Sequence, residues 1–250
     1  MKRFVEALVI AGAVGGLCTT AGAQAASPVV ELRGDAHLTR LQGSSVTPAV
    51  FHVHAHFSTD TAGADPFTIQ KVVVYLPDHA GTNGRLFPSC SARTIERFRG
   101  NVRRCPKGSQ IGSGTVKAKA NQLGITATGR LTWFNSRHGR AIAINVQTVL
   151  PAYINESFEA PLEQLHGRYG EKLTIADPPS LQQILDGVWV GVEDFDVTVT
   201  GAVRRHGVTV SYLKARTCPR AAVHGVFDFL DGPSGQTATV TKDTKVRCTR

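Results

Sequence analysis

No run of twenty apolar residues occurs in this 250-residue chain; the nearest, Leu8 to Leu17, is half that length, so no transmembrane helix is expected. No Cys-x-x-Cys pair is present, which leaves zinc thiolates little support. Gly-x-Ser-x-Gly is also missing: Gly112-Ser113-Gly114 has the wrong spacing for a nucleophile elbow. The same glycines do not complete Gly-x-Gly-x-x-Gly, because Lys117 stands where the third glycine belongs, and no phosphate loop ending in Gly-Lys-Ser/Thr exists. Helix signals are few, and there is no repeat, low-complexity tract or clear linker. Nothing here names a reaction, so the chain is expected to be a binding or structural protein rather than an enzyme.

What is present begins with an export signal. Lys2 and Arg3, the apolar run and Ala23-Gln24-Ala25 form a secretory signal over residues 1–25, leaving 26–250 as a single secreted domain with a possible sub-division near 151–177. Four cysteines then remain: Cys90, Cys105, Cys218 and Cys248. An even count in an exported chain favours disulfides. Three pairings are possible, and Cys90 with Cys105 and Cys218 with Cys248 closes the shortest loops. In the chain-entropy picture those loops of 15 and 30 residues contribute roughly 3 and 3.5 kcal/mol.

The net charge is +9, or +8 without residues 1–25, and it is unevenly spread. Between Arg93 and Lys119 eight bases, among them Arg97, Arg99, Arg103 and Arg104, stand against Glu96 alone. From Glu156 to Asp196 nine acids stand against Arg168 and Lys172. Such polarity suits attraction of an anionic envelope polymer or lipid surface to the basic segment. The competing reading is that the two segments lie together and neutralise. Nucleic acid is disfavoured, because Phe98 is the one aromatic among those bases and stacking platforms need several.

Short alternating segments dominate the rest. Phe67 to Leu76 reads as a strand; Leu131 to Phe134 and Ala141 to Val149 flank a turn in which Gly139 supplies a positive φ. Phe195 to Arg204 alternates, turns through Arg-Arg-His-Gly and returns, and Val223 to Leu230 pairs with Thr237 to Val246. The expected fold is all-β, a β-sandwich or jelly roll with a few short helices and two disulfides. A membrane barrel fits less well, since many charges alternate with the apolar positions and aromatic girdles are lacking. Three helical pieces are expected: Ser91 to Arg99, a segment capped by Asp177 and stopped by Gly187, and Glu159 to His166.

The sequence FHVHAHF from Phe51 to Phe57 gives a candidate metal set; Asp194 and Asp196, which would share a strand face, suit either calcium ligands or plain solvation, the commoner outcome. On a strand, His52, His54 and His56 share a face, while Phe51, Val53, Ala55 and Phe57 take the other. His52 and His56 would lie about 13 Å apart, too far to share one ion, so a site needs two of the three and a ligand from another strand. Zinc for a metal-dependent hydrolase is therefore an alternative to no cofactor, and a solvent-facing strand is the simpler reading. A third functional reading is a hydrophobic-ligand or lipid carrier whose sheets enclose a cavity.

Cys90, Cys105-Pro106, Ser109, Ile111-Gly112 and Gly114 form a C…CP-x-x-S-x-I-G-x-G pattern, and Cys218-Pro219, Phe227, Phe229, Asp231-Gly232 and Cys248 form a CP…F-x-F-x-D-G…C tail. Together these resemble a family of secreted actinobacterial proteins. The resemblance runs loosely from Val50 to the end and implies export, two disulfides and an all-β fold, with no catalytic residues to carry over. The histidine triplet and Arg103-Arg104 lie outside its motifs.

Overall fold

A computed structural model describes residues 26–38, 47–215 and 222–249. The expected export signal, Cys218 and the Cys248 side chain fall outside what is described, and with them the Cys218–Cys248 pairing. In chain order the strands are β1 (Pro28–Leu38), β2 (Thr47–Thr59), β3 (Thr68–Pro77), β4 (Ala80–Thr82), β5 (Gln110–Ala120), β6 (Ile125–Ser136), β7 (Ala141–Thr148), β8 (Ile154–Gln164) and β9 (Tyr169–Ala176). They continue as β10 (Gln183–Leu185), β11 (Val188–Val199), β12 (Ala202–Arg205), β13 (Val208–Ser211), β14 (Leu213–Ala215), β15 (Ala222–Asp231), β16 (Gln236–Lys245) and β17 (Arg247–Thr249). Two short helices, α1 (Ala92–Arg97) and α2 (Pro179–Gln182), complete the regular structure along with brief 3-10 turns. The all-β class expected from the sequence is thus observed.

Its walls belong to one sheet. The order β16-β15-β3-β9-β8-β7-β6-β5-β11-β2-β1 is antiparallel throughout, and β17 adds to β1 in parallel. β16 then comes back against β1, where Ala36, Val223 and Val246 pack together and the sheet closes nearly into a barrel. Strand alternation puts Leu131, Trp133, Ile142, Ile144, Leu162 and Leu173 inside. Glu31, Arg33, Asp35, Lys117 and Arg130 sit at the alternate, outward positions. Apolar inside and polar outside is the inverse of a lipid-facing barrel.

β7 is buried along nearly its whole length because it is covered on both faces. Inside it meets the barrel interior; outside, the segment between β4 and β5 lies over it, with Cys90, Ala92 and Ile95 packed on Phe134 and Ala143. The Cys90–Cys105 disulfide, as expected, closes that segment. Ser91 caps α1 by accepting from the Thr94 amide at 3.2 Å. Buried Asn135 donates to the carbonyls of Gly84, Phe87 and Pro88 at 3.0–3.1 Å, fastening the segment to β6. Gly139 adopts the expected positive φ, 83°, in the β6–β7 turn.

Two helix expectations are corrected. Glu159 to His166 belongs largely to β8, because Phe158, Ala160 and Leu162 alternate inward between β7 and β9 and period-two burial outweighs local helix signals. The segment after Asp177 forms only four helical residues with Pro178 at the cap, and its remainder becomes β10, paired with β11. The long strand expected from Phe195 to Arg204 also breaks, at Thr200-Gly201, where Gly201 lies so close to Ile111 that an added Cβ would be 2.8 Å from its Cα. Among the described residues no helix is long and apolar enough to cross a membrane.

Candidate functional site

The histidine face forms as expected. His52, His54 and His56 project outward from β2, and β11 brings Asp194 opposite His56 and Asp196 opposite His54. His52 Nε2 meets Asp196 Oδ2 at 2.9 Å, His56 Nδ1 meets Asp194 Oδ1 at 2.8 Å, and His54 Nε2 is 3.7 Å from that same oxygen. The three imidazoles are thereby spread over two carboxylates in a ladder. Among the described residues no group of three or more His, Cys, Asp or Glu is placed to hold a metal ion. Half-exposed pairs of this kind contribute between nothing and about 1 kcal/mol each.

The basic segment divides. Lys117 pairs with Glu193 at 2.9 Å, which raises its ammonium above the ordinary value, so one base does meet the acidic segment. Arg97, Arg99, Arg103 and Arg104 do not; all four are exposed, on and after α1. The Arg104 guanidinium lies 5.8 Å over the Phe98 ring. Asn155, at the start of β8, donates to the Arg99 carbonyl at 2.9 Å and ties this arginine cluster to one end of the barrel.

That end is where the interior opens. A cavity of about 750 Å³ runs through the barrel, walled by side chains such as Val53, Phe57, Val72, Leu131, Ile144, Phe158, Ile175 and Phe227. Every exposed residue along it, including Leu123, Ile125, Pro151, Tyr153 and Leu185, lies at the end formed by the β5–β6 and β7–β8 turns and β10. At the opposite end the lining is buried or half-buried, with β4 and β14 laid across between β2 and the base of β9. The cavity therefore has a mouth and a floor.

Both carry polar groups. At the floor Tyr212 is buried, and burial together with the Glu171 carboxylate pushes its phenol up, so it stays neutral. Glu171, also buried, accepts from the Thr82 amide at 2.9 Å, from the Thr82 hydroxyl at 3.1 Å and from Gln164. At the mouth, burial alone pushes the Asp177 carboxyl up to about 7.

Sequence reasoning placed the histidine face and the arginines and raised an enclosed cavity as one reading, but did not identify the residues that wall it or its mouth. Inward alternation was legible strand by strand; whether opposite walls touch or stand apart was not. The signal that could have been used was the apolar turn Val149-Leu150-Pro151-Ala152-Tyr153, unusual where a hairpin meets water. Compared with models of protein families, with curated proteins and with solved structures, the chain matches none.

Proposed function

We propose that this protein binds a hydrophobic small molecule, of acyl-chain or comparable bulk, inside its barrel. The carrying observation is the cavity of about 750 Å³ with apolar walls and one open end. Its size lies within the roughly 300–1,000 Å³ of ligand sites. It would hold about 25 water molecules at bulk density, yet the walls give water few partners. A void of that size is better explained as a ligand's place than as a packing defect. With the exported location expected from residues 1–25, the protein would carry or sequester its ligand outside the cytoplasm.

The test is titration with N-phenyl-1-naphthylamine. Trp133 lines the cavity, so saturable, stoichiometric binding at micromolar concentration should quench its emission while the probe brightens. Absence of saturable binding would overturn the proposal.

A further inference from the structure

The cavity mouth is ringed by apolar side chains that water should not meet. Val149 and Leu150, at the tip of the β7–β8 turn, are 69% and 79% exposed without lining the cavity, and Tyr153 beside them is 66% exposed. Farther round the opening are Leu123, in the neighbouring β5–β6 turn, and Leu185 on β10, 49% and 62% exposed. Single exposed apolar residues are ordinary; several gathered round the opening of an apolar cavity mark an interaction surface.

The exposed charge on the segment beside this rim is mostly basic. Through Asn155, which contacts both the Arg99 carbonyl and the Tyr153 hydroxyl, the chain just after α1 is held beside the β7–β8 turn, and Arg97, Arg103 and Arg104 flank it in sequence. Arg97, Arg99 and Arg103 make no ion pair among the described residues, and from Arg93 to Lys107 six bases face Glu96 alone. Asp60, Asp65 and Asp231 belong to turns after β2 and between β15 and β16, on the other side of the rim, where Asp65 pairs with Lys119; Glu156, beside Asn155, and Asp177 line the cavity near its mouth. The β7–β8 side of the rim thus joins exposed apolar tips to exposed arginines.

We propose that the Val149–Tyr153 turn and the arginines Arg97, Arg99, Arg103 and Arg104 dock the mouth, tilted, on an anionic phospholipid bilayer. Apolar tips that enter the interface and cations that meet lipid phosphates are the two components of peripheral membrane binding. A bilayer is favoured over a protein partner because the patch surrounds an opening into an apolar cavity: the surface it meets holds the same class of molecule the cavity accepts. An apolar ligand then passes between bilayer and barrel without crossing water. This inference rests on the ligand-binding reading above, but the docking itself is measured separately.

The experiment uses the chain from Ala26, so that Leu8 to Leu17 cannot contribute, in flotation with vesicles of phosphatidylcholine alone or mixed with phosphatidylglycerol. Binding to the mixed vesicles only, lost between 50 and 500 mM salt, is expected. Each arginine near an anionic surface accounts for about a fivefold change in partitioning, so Arg97→Gln with Arg103→Gln should weaken binding about 30-fold. Val149→Asp with Leu150→Asp should abolish it. Both double variants should still take up N-phenyl-1-naphthylamine in solution, which shows that they are folded. Equal binding to both vesicle types, binding to neither, or indifference to the arginine substitutions overturns the docking surface. Vesicle binding without probe uptake by the unsubstituted chain would instead overturn the ligand reading and leave the docking surface standing.

Discussion

Ala118 and Ala127 face each other across β5 and β6 near the open end, and both line the cavity. Replacing both with Phe puts two rings into space that a ligand would otherwise occupy. A buried Phe covers about 150–250 Å², so two exclude roughly 300–500 Å² of ligand contact. At about 25 cal/mol per Å² that is some 7–12 kcal/mol, against about 8 kcal/mol for a whole micromolar complex. The ligand can retreat toward the floor and recover part of this, so a loss of at least about 100-fold in affinity for N-phenyl-1-naphthylamine is expected. The thermal midpoint should hold or rise, because the rings enter open space and gain dispersion contacts rather than displacing packed atoms. Ala127→Leu alone should give an intermediate loss. An unchanged affinity in the double variant, with an intact thermal transition, would refute the placement of the ligand in this cavity.

Asp177→Asn should change the pH dependence of stability. The folded-state carboxyl sits near 7 against an ordinary 3.8, so its contribution is full below about pH 4 and is lost as pH rises through 7. The shift of about 3 units sets a ceiling of about 4 kcal/mol, and the Asn variant should gain on the parent between pH 5 and 8 in urea unfolding; parallel stability curves would contradict the burial argument. Cys90→Ser with Cys105→Ser opens a 15-residue loop and should cost about 3 kcal/mol, read as a lower thermal midpoint. A cost below 1 kcal/mol would mean that the packing on Phe134 and Ala143 holds the segment unaided. Gly114→Ala would place a Cβ 1.9 Å from the Asp196 carbonyl oxygen, so β5 and β11 must part. A loss of at least about 3 kcal/mol is expected in denaturant unfolding, and a near-neutral change would refute that close approach.

Local pattern was enough for the strand character, the outward histidines and the short disulfide loop. Period-two alternation needs only the residues themselves: in FHVHAHF it sends Phe51, Val53, Ala55 and Phe57 one way and the imidazoles the other, whatever lies beyond. Gly139 likewise announces its turn by its own backbone freedom. Where signals were short and mixed, as from Glu159 to His166, pairing with neighbouring strands overrode them. Asp194 and Asp196 could be seen to share a face, but that this face lies beside the histidines follows from a pairing across 138 to 144 residues of sequence.

The sequence by itself determined that the chain makes apolar-faced strands with a basic segment between two of them, bounded by two cysteines whose pairing is the shortest of three possible. Only the tertiary structure decided that these strands form one sheet rolled nearly shut, with opposite walls standing apart around a cavity instead of meeting in a solid core. Alternation says which side chains face inward; how far apart the facing walls stand depends on how many strands close the sheet and how they tilt, and no single strand encodes that. Packing of the α1 segment outside β7 and β8 likewise sets the Val149–Tyr153 turn beside Arg99, about fifty positions away in sequence, and so turns two unremarkable stretches into one rim.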